Sequence, residues 1–166
     1  EAKGRGGVSH TNGARIAWLE PAMQWLRSGE DVGLISEAGL PAVADPGSTV
    51  VAQAHRLGAR VLPLSGPNSL MLALAASGLH GQSFAFIGYL PQDAHARAAR
   101  IQELQHRSRH EHQTQLLIET PYRNAAVMSA LLENLAPHTQ LCVACGLTLS
   151  RGWCRTKTVA AWRQAP

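Results

Sequence analysis

The 166-residue sequence has few aromatic side chains, 5% of the total, and little charge, with Asp, Glu, Lys and Arg together making up 16%. Low charge beside 45% hydrophobic residues excludes an intrinsically disordered chain, which would lack the apolar surface needed to offset its ordering entropy. No apolar run approaches the ~18 residues that crossing a bilayer takes, so no membrane partner is expected. The three cysteines cannot pair completely, and the residues after Glu1 lack the basic, apolar, small order of a secretory signal. Both features point to a reducing cytoplasm. No GxGxxG and no Gly-Lys-Ser/Thr phosphate loop occurs, so the dinucleotide and triphosphate fingerprints are missing. The histidines stand at no zinc-type spacing from cysteine or carboxylate, and no metal is expected. An excess of 15 Lys and Arg over 11 Asp and Glu gives a net charge of +4, a surplus too small to argue by itself for a nucleic-acid partner.

What is present is a rhythm of strands and helices. After an irregular opening with Gly4, Gly6 and Gly7, residues Ile16, Leu19, Met23 and Leu26 recur at helical spacing up to Gly29, with Pro21 kinking or restarting the helix. Asp31 to Ser36 is a short apolar run between breakers and predicts a buried strand. The loop Glu37 to Gly47 follows, then a helix capped by Ser48 and closed by Gly58. The unit repeats as a strand from Arg60 to Leu64, the loop Ser65-Gly-Pro-Asn68, and a small apolar helix from Ser69 to Ser77. Short connections between alternating strands and helices predict a mostly parallel sheet with helices on both faces. Beyond Gly81 the pattern predicts strands at Phe84–Gly88, Thr114–Glu119, Gln140–Cys145 and Trp153–Val159. Helices are predicted from Ala94 to His110 and from Thr120-Pro121 through Leu135. The last two strands, joined at Ser150-Arg-Gly152, read as an antiparallel pair within a mixed sheet. The expected class is α/β with two domains, residues 1–79 and 80–166.

In open α/β sheets ligands sit at the carboxyl ends of the strands, where helix N-termini offer unpaired N–H groups. Two loops have that placement. Glu37 to Gly47 holds small residues that admit a ligand to the backbone, and prolines that fix its shape. Ser65 to Ser69 does the same ahead of Ala73, Ala75 and Ala76. The plainer reading of either loop is a tight turn with close helix packing.

Four motifs carry a family resemblance: Ile35-Ser-Glu-Ala-Gly-Leu-Pro-Ala-Val-Ala-Asp-Pro-Gly47, Val61-Leu-Pro-Leu-Ser-Gly-Pro-Asn-Ser69, Phe86-Ile-Gly-Tyr-Leu-Pro91 and Ile118-Glu-Thr-Pro-Tyr-Arg123. In order and spacing the chain resembles the tetrapyrrole methylase family, most closely its branch that acts on small-subunit ribosomal RNA. The resemblance implies a two-domain α/β fold, S-adenosylmethionine as methyl donor in the cleft between domains, and a homodimer. It assigns Ser36, Glu37, Ala38, Gly39, Leu40 and Pro41 to the donor-binding loop. Asn68, Ser69 and Leu70 fall after the Gly-Pro turn, and Thr120 and Pro121 close over the adenine side. Family members open with a strand and a Gly-Thr-Pro-Ile-Gly-like loop that this chain does not show before Asp31, and they continue for several strands past a position like Pro166. A first strand and the last strands are therefore expected to be missing. Leu40 and Asn68 also differ from the commoner choices, as in a divergent subgroup.

Methyl transfer from a sulfonium is an in-line displacement governed by positioning, and a ribose hydroxyl acceptor needs a group to take its proton. Glu37, Glu119 and Arg123 are the candidate catalytic side chains; their plainer roles are a loop carboxylate capping N–H groups and an arginine salt-bridged at a helix start. Arg97, Arg100, Arg107 and Arg109, among histidines, form the stretch best suited to RNA phosphates, the plainer reading being a solvated helix. Trp18, Trp25, Trp153 and Trp162 are scattered and read as core or dimer contacts. Cys142 and Cys145 have redox-motif spacing but lie within a strand, and both read as buried packing residues. The leading expectation is ribose 2′-O-methylation of ribosomal RNA. The alternatives are methylation of a tetrapyrrole or other small molecule, and a non-catalytic binding module of the same fold.

Overall fold

The computed structural model describes residues 19–164, divided between two compact units, residues 1–65 and 66–166. The expected helical residue Ile16, the Gly4–Gly7 opening and Trp18 lie outside the described residues.

In the first unit, α1 spans Leu19–Arg27 and α2 spans Ser48–Arg56. Pro21 falls in the first described turn of α1. Its stripe is buried as the spacing predicts: Ala22 and Met23 cluster with Val50 of α2, and Leu19, Leu26 and Val32 pack around them. Two expectations fail. Ser48 is the first helical residue, not the cap; the cap is Gly47, and no side chain caps this helix end. The segments 31–36 and 60–64 form no strand, nor does any other described residue of this unit, so the expected N-terminal parallel sheet is not seen here. A strand exists through its ladder, and no ladder partner lies beside either segment. Ile35 and Leu64 are accordingly 90% and 83% exposed.

The second unit holds α3 (Ser69–Ser77), β1 (Phe84–Gly88), α4 (Ala94–His110), β2 (Thr114–Leu117), a 3-10 turn (Pro121–Arg123), α5 (Asn124–Asn134), β3 (Gln140–Cys145), β4 (Trp153–Thr158) and α6 (Val159–Gln164). β1 and β2 pair in parallel from Phe84 opposite Thr114 to Gly88 opposite Leu117, with a bulge after Phe86. The connection between them is α4, as parallel pairing requires. Its stripe buries Ile101, 1% exposed, and Leu104 against Leu90, Val127 and Ala130. The second strand ends at Leu117, two residues before the expected Glu119, and the helix expected to start at Thr120-Pro121 begins as the 3-10 turn.

β3 and β4 pair antiparallel in the expected register, from Gln140 opposite Thr158 to Cys145 opposite Trp153. Trp162 of α6 is buried and donates its indole N–H to the Leu141 carbonyl at 2.8 Å. α3 packs on the same two strands, and Thr156 Oγ1 donates to the Ser77 carbonyl at 2.6 Å. The helix that the sequence reading places before a boundary near Leu79 is thus gathered with the strands that follow it. Its end at Gly78 is in the left-handed conformation that glycine adopts without strain.

The connection from β3 to β4 runs from Gly146 to Gly152, wider than the three-residue turn expected. It is closed by Leu149 N–H to Gly146 O at 2.7 Å and Gly152 N–H to Leu149 O at 2.9 Å. A Cβ on Gly152 would collide with the Gly146 carbonyl. Gly152→Ala should therefore force the two loop ends apart and destabilise the protein by about 1–3 kcal/mol, read as a lower urea midpoint at unchanged slope.

Candidate functional site

The Glu37–Gly47 loop of the first unit folds back on itself. Ala42 N–H donates to Pro46 O at 3.2 Å and Val43 N–H to Leu40 O at 3.2 Å, while Ser36 Oγ donates to the carbonyls of Ala38 and Gly39 at 3.3 and 3.4 Å. Gly47 closes the loop with φ 140°, and a Cβ there would meet Leu34 Cδ2 at 2.7 Å. An open cleft of about 560 Å³ lies along the loop, lined by Leu34, Ile35, Ser36, Glu37, Ala38, Asp45 and Pro46. Of the sequence-predicted donor-binding residues, Ser36, Glu37 and Ala38 line it, and Gly39, Leu40 and Pro41 continue the same loop. Two carboxylates, small side chains and accessible backbone suit a polar ligand carrying a cationic group.

In the second unit the carboxyl ends of β1 and β2 are tied together by guanidinium groups. Arg123 Nη2 donates to Leu90 O at 2.9 Å and to Pro91 O at 3.2 Å, and lies 3.3 Å from Glu119 Oε2. The two side chains of this ion pair are 15% and 12% exposed. Glu119 Oε1 accepts from the N–H and the hydroxyl of Thr120, at 2.8 and 3.2 Å. Arg97 grips the same loop from α4, donating from Nη1 to Pro91 O at 3.3 Å and Gln92 O at 2.8 Å. Glu119, Thr120 and Arg123 are therefore brought together, with Pro121 exposed beside them. Glu119 and Arg123 take the plainer of their two sequence readings, a carboxylate bound to N–H groups and an arginine salt-bridged at a helix start. Two arginines thus hold the loop after β1, and no local sequence pattern separates Arg97 from the other arginines of the stretch suited to RNA phosphates.

Asn68 caps α3, its Oδ1 accepting from Leu70 N–H at 3.0 Å and Met71 N–H at 3.1 Å. Leu70 is buried, whereas Ser69 is exposed at the first helical position.

Two of the four arginines in the stretch running through α4 are paired with carboxylates. Arg100 pairs with Glu103 at 2.6 Å and Arg107 with Glu111 at 3.1 Å, and Arg109 meets His138. The cysteines also differ from expectation. Cys145 is exposed rather than buried because it ends β3 at the open loop. Cys142 faces Cys154 across the ribbon, their sulfurs 3.4 Å apart, and both remain free thiols. Desolvation by burial, then the hydrogen bond to Cys142 and its charge, push the Cys154 thiol from 9.0 up to about 11. Among the described residues, no group of three His, Cys, Asp or Glu side chains is placed to hold a metal ion. No described helix is long and apolar enough to cross a membrane.

The solved structure of the methyltransferase CobJ superimposes with a TM-score of 0.58 over 86% of this chain and 62% of that one, at 17% identity, which establishes the mixed α/β fold. No protein-family model matches the chain. In sequence it is 44% identical over 111 residues to ribosomal RNA small subunit methyltransferase I of Pseudomonas aeruginosa, covering 67% of this chain and 36% of that protein. It is 34% identical over 141 residues to the protein of the same name from Synechocystis, covering 85% and 49%. The chain is thus a relative of these methyltransferases, and the resemblance to the tetrapyrrole methylase family read from its motifs holds. It spans less than half the length of the two relatives.

Removing Arg123 leaves a mostly buried carboxylate and two carbonyls without their donor. Arg123→Ala is expected to cost about 3–5 kcal/mol in urea unfolding. Glu119→Gln, which keeps an acceptor for Thr120, should cost less. Iodoacetamide at pH 8 should label Cys145 first, seen by peptide mass spectrometry, with Cys154 protected. Because the folded Cys154 thiol ionises above the unfolded one, its contribution to stability is complete below about pH 9 and is lost as pH rises towards about 11.

Proposed function

We propose that the chain is part of an S-adenosylmethionine-dependent methyltransferase that modifies the ribose 2′-oxygen of small-subunit ribosomal RNA. The observation that carries this reading is the 44% identity to a protein named for that ribosomal substrate. The donor would be held by Ser36, Glu37, Ala38, Gly39, Leu40 and Pro41 in the first unit, and by Asn68, Ser69, Leu70, Thr120 and Pro121 in the second. The cleft beside Glu37 supports the first set: its exposed loop carbonyls and carboxylates suit a ligand with an ammonium and a sulfonium, and its size falls in the usual range for small-molecule sites. When bound, the donor supplies an electrophilic methyl group.

The protein's own task is positioning. The preformed loop fixes where the donor is held, and the Arg123 and Arg97 contacts fix the backbone after β1 and β2. Glu37, exposed and beside the cleft, is the better placed of the two carboxylates to accept a proton, since Glu119 is engaged by Thr120 and Arg123. A homodimer as working form and a cytoplasmic location belong to the same proposal. The relatives named for ribosomal RNA favour it over methylation of a tetrapyrrole and over a non-catalytic module.

Calorimetric titration with S-adenosylmethionine should give saturable heat, and incubation with labelled donor and 30S subunits should place label in RNA. Label only in a tetrapyrrole precursor would overturn the RNA assignment. Pro41→Trp and Ser69→Trp should each abolish donor binding at unchanged circular dichroism; unchanged affinity would remove these residues from the site.

A further inference from the structure

From Leu135 to Pro166 the sequence carries Arg151, Arg155, Lys157 and Arg163 and no Asp or Glu. β4 places Trp153, Arg155 and Lys157 at alternate positions, so all three share one face of the ribbon. The opposite face is the one tied to α3 through Thr156. Trp153 is 40% exposed, and the Arg155 guanidinium lies 5.7 Å from its ring centroid. Lys157 lies 4.6 Å from the Trp162 ring centroid, which holds its ammonium on the same side. Arg151 and Arg155 are exposed and have no carboxylate partner among the described residues. In α4, Arg100 and Arg107 are paired with glutamates, Arg97 is turned inward onto carbonyls, and Arg109 meets His138.

We infer that the Trp153–Arg155 face of β4, together with Arg151 of the connection that leads into it, rather than α4, is the surface that docks an unpaired segment of RNA. This rests on the reading of the protein as an RNA methyltransferase. An exposed indole on a flat ribbon stacks an unstacked base, which duplex RNA does not offer. The guanidinium groups of Arg155, on the strand beside it, and of Arg151, in the preceding connection, match phosphates in a fork geometry that lysine lacks. Arg151 and Arg155, with no carboxylate partner among the described residues, complement a polyanion, whereas the paired arginines of α4 would first have to give up their glutamates.

The test is fluorescence anisotropy of the full chain with a labelled single-stranded RNA of about 16 nucleotides. Arg151→Ala combined with Arg155→Ala should weaken binding about tenfold or more and lower the log–log salt slope by about 1.4, or 0.7 for each lost phosphate contact. Trp153→Ala should weaken binding at least about fivefold with the slope unchanged, and Trp153→Phe should restore most of it. Arg100→Ala combined with Arg107→Ala should stay within about threefold of wild type, as expected for paired surface arginines. Circular dichroism and thermal midpoints verify that the exposed-site variants fold. Wild-type affinity in the Arg151/Arg155 variant, a larger loss in the α4 variant, or no RNA binding by the unaltered chain would each overturn the inference. So would binding to phosphatidylglycerol vesicles in preference to RNA. If the unaltered chain binds S-adenosylmethionine and labels 30S subunits while the β4 variants do so equally well, this surface falls and the methyltransferase reading stands. RNA binding that depends on Arg151 and Arg155 without any donor heat supports the surface and removes the methyltransferase reading.

Discussion

The carboxyl edge of the parallel pair depends on one guanidinium. Arg123 leaves β2 through a 3-10 turn, reaches back to the carbonyls that follow β1, and faces the carboxylate of Glu119. Two parallel strands share few local contacts, because the chain between them must cross over through a whole helix. A cation that links both exits converts two independent loop ends into one fixed edge. The loop it holds carries Leu90, which is buried among Ile101, Leu104, Val127 and Ala130. Polar clamp and apolar core therefore restrain the same few residues from opposite sides, and displacing either would expose an unsatisfied carbonyl or an apolar side chain.

Helices and the second ribbon were legible in the sequence because their signals are local. α4 matches its expected bounds, and so do β1 and β3, since apolar spacing and breakers decide those elements within a few residues. The segments at 31–36 and 60–64 were not, because a strand needs a partner that no local pattern supplies. The cap at Ser48 failed for a related reason: the loop before it already turns through Gly47, which takes the capping position. At the candidate site the sequence groups the residues of each loop, and the structure adds the hydrogen bonds they make. Asn68 reads as a ligand contact in the family pattern and is found capping α3 with both acceptor positions of Oδ1 in use. Arg97 and Arg100 are three residues apart on one helix, yet one turns onto backbone carbonyls and the other to a glutamate.

Charge shows the same limit. A count of arginines along the chain favours α4, where they are dense, but density brought carboxylates with it, and i,i+3 and i,i+4 pairs cancel much of the field. Arg155 on β4 has no such partner among the described residues. A strand's period of two, not its content of basic residues, is what sets Trp153 and Arg155 on one side.

Ala42 and Ala44 sit with φ of 66° and 56°, in the left-handed region where an alanine is disfavoured by roughly 1–2 kcal/mol and a glycine is not. Their methyl groups strain that loop where glycines in the same shape would not, so the loop is held by its closing hydrogen bonds, Ala42 N–H to Pro46 O and Val43 N–H to Leu40 O. The ordering is completed when the protein folds. A ligand arriving at the cleft then meets a surface already set, and its affinity reflects contacts rather than the entropy of assembling them.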